Sequence, residues 1–330
     1  LKIARMSTEA VEKCVTYEGL EFIEAAAAQG KGVVAAVAHL GPWELLSQLP
    51  SLGSGVAPST LYQRLGNPFM NRFIVERRGK SGTVLFDRST GIYGPLKHLR
   101  AGGGVGVLID QHAGDHGTWG PFFGRLVSTT NLPALLSMRS GAPVISILLL
   151  PDGPGRWRVI YRPAHEPANL SGDKHTIATE ITAKLNAELE AVIRESPEDW
   201  FWVHDRWKTP QPRFMLSNYK RAISLTEEQR QGLKPFRLIV RSPNPLGDAC
   251  MAIPAVRALR NGRPDLELTI LCRANVAPGW KRQPEVAAVI ESPKGASPRE
   301  TGKQIREHGH FDAALLFPGS LRVALEAWFG

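Results

Sequence analysis

Short apolar runs alternate with amphipathic stretches along the first part of the chain. Runs rich in β-branched residues predict buried strands, and stretches with apolar residues three and four apart predict helices. The predicted strands are Val33–Ala38, Val56–Leu61, Thr83–Phe86, Gly104–Ile109, Pro143–Leu150 and Trp157–Tyr161. The predicted helices are Glu9–Ala28, Asn67–Arg78, Thr90–Arg100, Leu132–Arg139 and Asp173–Glu195. This alternation predicts an α/β fold with a central, mostly parallel sheet flanked by helices.

The pattern changes at residues 209–235, which contain Pro210, Pro212 and a short charged patch. Such a stretch is typical of a linker between domains. Strand and helix signals then resume, with strands expected at Phe236–Arg241, Leu266–Cys272 and Ala313–Phe317 and helices at Asp248–Asn261 and Arg299–His308. We therefore expect one domain at 1–208 and a second, truncated Rossmann-like domain at 236–330.

The strand Val33–Ala38 leads directly into the most informative stretch of the sequence, His39-Leu40-Gly41-Pro42-Trp43-Glu44. Gly41-Pro42 predicts a sharp turn, and proline suits the first position of a helix. Glu44 would lie in the first turn of that helix, where the macrodipole favours a carboxylate. The two side chains can then meet as a general base and its orienting partner, although a structural histidine at a strand end is the alternative.

A second pair with the same spacing, His175 and Glu180, lies inside a helical pattern. Side chains five residues apart diverge around a helix, so this pair is interpreted as part of a solvated face. It provides an internal comparison for His39 and Glu44.

The net charge of +9 and the pI near 9.6 favour an acidic protein or an anionic membrane surface as partner. The sequence contains no Lys/Arg-rich run with interleaved aromatic residues, so nucleic acid is the least favoured of the acidic partners. The sequence predicts no cofactor and no metal, since His112 and His116 lie in a glycine-containing loop rather than on one helix face. The apolar runs are too short to span a bilayer.

Acyl transfer is the chemistry that fits a histidine paired with a carboxylate here. The sequence has neither a G-x-S-x-G motif nor a cysteine near His39, which favours direct transfer to an acceptor hydroxyl over a covalent acyl-enzyme. An aromatic cluster at Trp200–Trp207 is interleaved with His204, Arg206 and Lys208, and this composition suits the rim of an anionic ligand site as well as a core.

Five separated motifs resemble the lipid A biosynthesis lauroyl/myristoyl acyltransferases, a branch of the lysophospholipid acyltransferase superfamily. They are His39-Leu40-Gly41-Pro42-Trp43-Glu44, Asn67-Pro68, Asp110-Gln111, Phe122-Phe123-Gly124 with Thr129, and Trp202-Val203-His204-Asp205-Arg206-Trp207-Lys208. The resemblance covers about residues 5–210 and implies transfer of a fatty acyl chain from acyl carrier protein to a lipid A precursor.

The resemblance also implies roles for individual residues. His39 is expected to be the base and Glu44 its partner, with substrate contacts from Asp110, Gln111, His204 and Arg206. Gln63 stands where the family usually has an arginine, and Arg64 follows it as a candidate phosphate contact. Arg72, Arg77 and Arg78 are further candidates, with a solvated helix face as the equal alternative. The membrane-anchoring helix expected in this family would lie in a segment missing from the sequence.

The last part of the chain, about Phe236–Gly330, resembles the amino-terminal half of ADP-heptose:lipopolysaccharide heptosyltransferases. The motifs are Arg241-Ser242-Pro243-Asn244-Pro245-Leu246-Gly247-Asp248, Ala252-Ile253-Pro254-Ala255 and Pro318-Gly319-Ser320-Leu321-Arg322. The resemblance makes Asp248 a candidate base for a sugar hydroxyl, and a helix N-cap is the alternative. The nucleotide-sugar half is missing, so this chain is not expected to transfer heptose.

The sequence therefore predicts a lipid A acyltransferase at the cytoplasmic face of the inner membrane. Three alternatives stay open: a glycerophospholipid acyltransferase acting on lysophosphatidic acid, heptosyltransferase activity of a full-length second domain, and a non-catalytic lipid-binding scaffold. The first alternative should carry a Pro-Glu-Gly-Thr-Arg-like block, whereas residues 120–124 read Gly-Pro-Phe-Phe-Gly.

Overall fold

A computed structural model describes residues 6–49, 55–115, 117–208, 222–223 and 225–330. The chain divides into two compact units, the first mostly before residue 208 and the second mostly after residue 225. Residues 209–221 and 224 of the predicted linker lie outside the described residues.

The first unit is built on a seven-stranded sheet. The described strands of the whole unit, which form this sheet and a smaller one, are β1 (Val15–Glu18), β2 (Val33–Val37), β3 (Pro58–Tyr62), β4 (Val84–Asp87), β5 (Gly104–Leu108), β6 (Thr118–Phe122), β7 (Arg125–Thr129), β8 (Val144–Pro151), β9 (Trp157–Tyr161) and β10 (Ala222–Ile223). The large sheet has the order β1-β9-β8-β2-β5-β3-β4, and β10, β6 and β7 form a small separate sheet. The neighbouring strands of the large sheet pair in parallel except β8 with β9, which confirms the mostly parallel sheet.

The described helices of this unit are α1 (Thr8–Glu12), α2 (Leu20–Ala27), α3 (Pro68–Arg78), α4 (Tyr93–Arg100), α5 (Leu132–Ser140) and α6 (Lys174–Glu195). The prediction of one helix over Glu9–Ala28 is wrong, because strand β1 interrupts it. Val15 and Tyr17 alternate with polar residues, as in a strand, and Gly19 adopts a positive φ of 73° that separates β1 from α2.

Strand β2 is buried on both faces. Its even positions Val34 and Ala36 pack in one core, whereas Val33 and Ala35 pack in another. The alternation follows from the two-residue period of a strand, and a strand covered on both sides accounts for the continuous apolar run in the sequence. The two cores hold the strand end, and therefore His39, in a fixed position.

The second unit contains a four-stranded parallel sheet. Its strands are β11 (Phe236–Arg241), β12 (Leu266–Cys272), β13 (Val286–Glu291) and β14 (Ala313–Leu316), and their order is β13-β12-β11-β14. Its described helices are α7 (Glu227–Gln231), α8 (Leu246–Gly262), α9 (Ala277–Lys281), α10 (Pro298–Glu307) and α11 (Leu321–Trp328). Helix α7 begins at a Thr226–Gln229 capping box, so the described part of the predicted linker includes a short helix.

Candidate active site

His39 lies two residues beyond the end of β2, and the closing aromatic segment holds its backbone. The Phe201 amide donates to the His39 carbonyl at 2.9 Å, and the Gly41 amide donates to the Asp199 carbonyl at 2.8 Å. Leu40 and Trp200 form an antiparallel bridge between these two hydrogen bonds. Residues far apart in the sequence therefore fix the loop that carries the histidine.

Asp110 is the carboxylate that contacts His39. The parallel register pairs Val37 with Leu108, so the two strands bring His39 and Asp110 to corresponding positions beyond their ends. One carboxylate oxygen of Asp110 lies 2.8 Å from His39 Nδ1, and the other accepts from the His39 amide at 2.7 Å and from Trp200 Nε1 at 3.0 Å. Asp110 is fully buried.

The hydrogen bonds keep Asp110 ionised. Burial by itself would raise the pKa of this carboxyl, but the donors from His39 and Trp200 outweigh it and hold the pKa below its usual value. An ionised Asp110 accepts a hydrogen bond from Nδ1–H, so the neutral imidazole of His39 carries its proton on Nδ1 and Nε2 is the unprotonated nitrogen. This is the tautomer that a general base requires.

The structure corrects the expected pairing of His39 with Glu44. Glu44 lies in a 3₁₀ helix, Trp43–Gln48, and its carboxylate forms a two-point ion pair with Arg78 at the end of α3. Arg78 Nε donates to Glu44 at 2.8 Å, and this hydrogen bond raises the pKa of the Arg78 guanidinium. The half-exposed Glu44 carboxylate finds its partner on α3, because the buried Asp110 already occupies Nδ1 of His39.

Aromatic and imidazole rings surround His39. The ring centroids of Trp43 and His204 lie 4.8 and 4.9 Å from that of His39, and Phe201 lies 6.2 Å away. Gln111 Nε2 lies 2.8 Å from His204 Nε2, so the amide donates and the imidazole accepts. Partial burial and then the nearby charge of His39 lower the pKa of His204. The structure thus places His204 beside His39 and Gln111 in contact with His204, and their contact with substrate stays a prediction.

The prediction that Arg206 contacts substrate is wrong, because its side chain is fully buried. Its guanidinium donates to the Gln111 and Ser128 carbonyls and, at 2.6 Å, to Thr129 Oγ1. Burial lowers its pKa to about 10. Arg206 therefore joins three chain segments beneath the site, where a guanidinium can satisfy several carbonyl acceptors at once.

Among the four predicted phosphate contacts, Arg78 lines the cavity beside the site. Arg72 pairs with Glu76 on the exposed face of α3, and Arg77 packs over the Phe73 ring at 5.2 Å. Arg64 is exposed in the loop before α3. These three residues lie on the surface.

A cavity of about 100 Å³ opens beside Glu44 and Arg78. Alternate positions of β2 and β5 form one wall, with Val33, Ala35 and Val37 facing Gly104, Gly106 and Leu108 across the ladder. His39 is the next odd-numbered residue after Val37, and Asp110 is the next even-numbered residue after Leu108, so both follow the cavity-facing positions of their strands. The remaining lining is apolar or hydroxylated apart from the Glu44–Arg78 pair: Ile23, Trp43, Leu46, Ser47, Val56, Pro58, Ser59, Thr60, Leu61, Thr83 and Ile147.

In the second unit, Asp248 is exposed in the first turn of α8. The alternative reading of Asp248 as a helix N-cap is wrong, because the helix begins at Leu246 after the cap residue Pro245. Its carboxylate instead lies where the helix dipole favours a negative charge.

Within the described ranges, no three His, Cys, Asp or Glu side chains cluster closely enough to hold a metal ion. His116, one half of the predicted histidine pair, lies outside these ranges. None of the described helices is both long and apolar enough to cross a membrane.

Sequence reasoning missed Asp110 and Trp200 as the partners that orient His39. The useful signal was present, because His39 and Asp110 each follow a predicted apolar strand by the same number of residues. The neighbouring position of β2 and β5 in the sheet was the missing information.

The family model for bacterial lipid A biosynthesis acyltransferases matches residues 1–209. The chain is 27% identical over 204 residues to a lipid A biosynthesis acyltransferase of Haemophilus influenzae, covering 61% of this chain and 62% of that protein. It is 29% identical over 205 residues to the lipid A biosynthesis palmitoleoyltransferase of Escherichia coli (60% and 63% covered), and 27% identical over 224 residues to the myristoyltransferase of the same organism (67% of each).

The matched segment spans less than two thirds of the Haemophilus protein and of the palmitoleoyltransferase. The family match nevertheless covers more than half of the 330 residues. The chain belongs to the bacterial lipid A biosynthesis acyltransferase family.

Proposed function

We propose that the chain transfers a fatty acyl group from acyl carrier protein to a hydroxyl of a lipid A precursor. The observation that carries this proposal is the His39–Asp110 hydrogen bond, which lies two residues beyond the ends of the two strands that form one wall of an apolar cavity. A base with a fixed tautomer and a site for a hydrocarbon chain are the two parts that acyl transfer to a lipid hydroxyl needs.

His39 acts as the general base. Nε2 takes the proton of the acceptor hydroxyl as its oxygen attacks the thioester carbonyl, and Asp110 stabilises the resulting imidazolium. The tetrahedral intermediate then collapses with loss of the carrier thiolate, which takes the proton from Nε2. The products are an ester and a free thiol, and His39 returns to its starting tautomer.

The cavity holds the acyl chain, and the Glu44–Arg78 ion pair beside it binds the acceptor lipid. Glu44 fixes the Arg78 guanidinium in one orientation, and the guanidinium contacts a phosphate of the lipid A precursor. Glu44 thus acts through Arg78. Gln111 and His204 complete the polar side of the site around His39.

The charge of the chain supports both partners of the reaction. A net charge of +9 favours encounter with an acidic carrier protein and with a phosphorylated glycolipid in an anionic membrane. We propose that the reaction takes place at the cytoplasmic face of the inner membrane, with the chain bound peripherally or through an anchor.

A second proposal concerns the second unit, which we infer to be the sugar-acceptor half of a heptosyltransferase-like domain. The supporting observation is the exposed Asp248, in the helix that follows β11 of a parallel sheet. Ligands of such sheets bind beyond the carboxyl ends of the strands. Transfer of heptose from ADP-heptose by a longer chain, and loss of that transfer in Asp248→Asn with ADP-heptose binding retained, would test this reading.

The acyl transfer proposal is tested with two acceptors and one donor. Labelled acyl-acyl carrier protein is incubated with the chain and either a lipid A precursor or lysophosphatidic acid. We expect label in the lipid A precursor at a rate at least about tenfold higher than in lysophosphatidic acid, since a misfit acceptor forfeits the polar contacts of the site. Preferential labelling of lysophosphatidic acid would support the glycerophospholipid alternative instead.

A further inference from the structure

Helix α3 lies on the surface of the first unit with none of its eleven residues buried. Its first two turns nevertheless carry large apolar side chains, and Phe69 is 82% and Phe73 48% exposed. A surface helix normally turns its apolar stripe toward the core. Here the stripe faces outward, which marks an interaction surface.

The exposed apolar residues follow the carboxyl ends of two neighbouring strands of the sheet. Phe69 and Phe73 are four residues apart and share one side of α3, and Met70 is exposed beside them. Tyr93, which is 78% exposed, follows the carboxyl end of β4 as α3 follows that of β3. His39 follows the carboxyl end of β2 in the same parallel sheet, so the apolar residues and the catalytic site occupy the same edge.

Basic residues accompany this apolar surface. Residues 64–88 contain six basic and two acidic side chains; Arg72 is paired with Glu76, and Arg78 with Glu44 from outside this stretch, so basic side chains remain in excess. An apolar stripe bordered by Lys and Arg matches the interfacial layer of a bilayer that contains anionic lipids. The charge complementarity therefore selects an anionic membrane as the occupant.

We propose that α3 inserts its Phe69–Phe73 face into the surface of an anionic bilayer. The inference rests on the proposed lipid acceptor, and it adds the surface by which the chain docks. Helix α3 ends at Arg78, which lines the cavity, so docking through α3 brings the cavity to the membrane plane.

Flotation with vesicles tests the proposal. The chain is mixed with vesicles of phosphatidylcholine and phosphatidylglycerol, or of phosphatidylcholine alone, and the bound fraction is measured. We expect stronger binding to the anionic vesicles, weakened by salt. The double variant Phe69→Ser/Phe73→Ser should lose at least about tenfold in partition coefficient, because two aromatic side chains no longer leave water.

Two further variants distinguish specific binding through this surface from nonspecific adsorption and from loss of the fold. Phe69→Leu/Phe73→Leu keeps apolar area and should bind as the unaltered chain does. Leu321→Ser/Trp328→Ser removes two exposed apolar residues of α11, in the other unit, and should also leave binding unchanged. No vesicle binding by the unaltered chain, or equal binding by the Phe69→Ser/Phe73→Ser variant, would overturn the proposal.

Sedimentation velocity tests whether the Phe69–Phe73 face binds a second copy of the chain instead of a membrane. A dimer that the serine substitutions dissociate, with vesicle binding intact, would assign the face to self-association and contradict the proposal. Acyl transfer to a detergent-dispersed precursor is measured in parallel. Phenylalanine-dependent vesicle binding without any transfer would contradict the proposed reaction and leave the docking surface standing.

Discussion

Asp110 receives three hydrogen bonds from the residues that hold His39 in place. Two come from His39 itself and one from the Trp200 indole, and an ionised carboxylate can accept all three at once. The carboxylate therefore fixes both the backbone and the ring of His39. Its proposed role in catalysis rests on that geometry.

Replacing Asp110 with asparagine should nearly abolish transfer. The asparagine amide can present an N–H to Nδ1 of His39 and so favour the wrong tautomer, and we expect a loss of roughly 10³-fold in kcat. Asp173→Asn is the matched control, because asparagine caps α6 as well as aspartate does. Comparable activity in the two variants would contradict the assigned role of Asp110.

The same substitution should change the acid dependence of stability. The folded-state pKa of Asp110 lies below its usual value, so its stabilisation is fully present above the usual carboxyl pKa and is lost as pH falls through the lowered pKa. We expect Asp110→Asn to cost at least about 2 kcal/mol at neutral pH and progressively less in acid. Thermal unfolding of both proteins from neutral to acidic pH measures the difference in their free energies of unfolding. A difference that stays constant over this pH range would contradict the assigned ionisation of Asp110.

Glu44 and Arg78 should behave as one unit. Because each is the other's ion-pair partner, Glu44→Ala and Arg78→Ala are expected to lower kcat/KM by similar factors, and the double variant should be little worse than either. A double-mutant cycle measures this coupling. Fully additive losses would indicate that Glu44 acts on His39 independently of Arg78.

Strands β2 and β5 connect the proposed base with the cavity that we propose for the acyl chain. Their cavity-facing positions recur every second residue from Val33 and Gly104 to His39 and Asp110. Four residues of strand span about 13 Å, so the cavity wall extends away from the base along the sheet. Side chains along this wall should determine the length of chain that fits.

Ala35→Leu should shift the preference of the enzyme toward shorter acyl chains. Ala35 lies midway along the wall, and three added carbons fill part of a cavity of about 100 Å³. Leu108→Ala, nearer the site, enlarges the same cavity and should not shorten the preferred chain. Competition between carrier-linked chains of different length reports the preference, and an unchanged profile in Ala35→Leu would place the acyl chain elsewhere.

The sequence predicted those elements whose signal is local. Val33–Ala38, Gly104–Ile109 and Pro143–Leu150 are apolar runs that could only be buried strands in an α/β pattern, and the structure contains strands there. Strand β1 was missed because the alanine- and glutamate-rich residues on both sides of it favour a helix. Strand β13 and the short helices of the second unit were not predicted.

The candidate site was predictable in composition but not in pairing. His39, Asp110, Gln111 and His204 were all selected, yet the partner of His39 depended on which strands are neighbours, and this is a tertiary property. The burial of Arg206 could not be predicted from the local sequence either, because its hydrogen-bond acceptors lie 77–95 residues away in the chain. Long-range contacts decided both points.

The whole chain carries a net charge of +9, and this charge should govern its encounter with the carrier protein. Added salt is expected to raise the KM for acyl-acyl carrier protein several-fold with little change in kcat, because screening weakens long-range attraction and not the chemical step. An uncharged acyl-pantetheine donor is the control. An identical salt response with both donors would contradict carrier steering.

Acyl transfer by His39→Ala, compared with His175→Ala, tests the central claim most directly. Both substitutions remove a histidine followed five residues later by a glutamate, but only His39 contacts Asp110 beside the cavity. With labelled acyl-acyl carrier protein and a lipid A precursor, we expect at least about a 100-fold loss in His39→Ala and full activity in His175→Ala. Equal activity in the two variants and the unaltered chain would contradict a catalytic His39 and favour a lipid-binding scaffold.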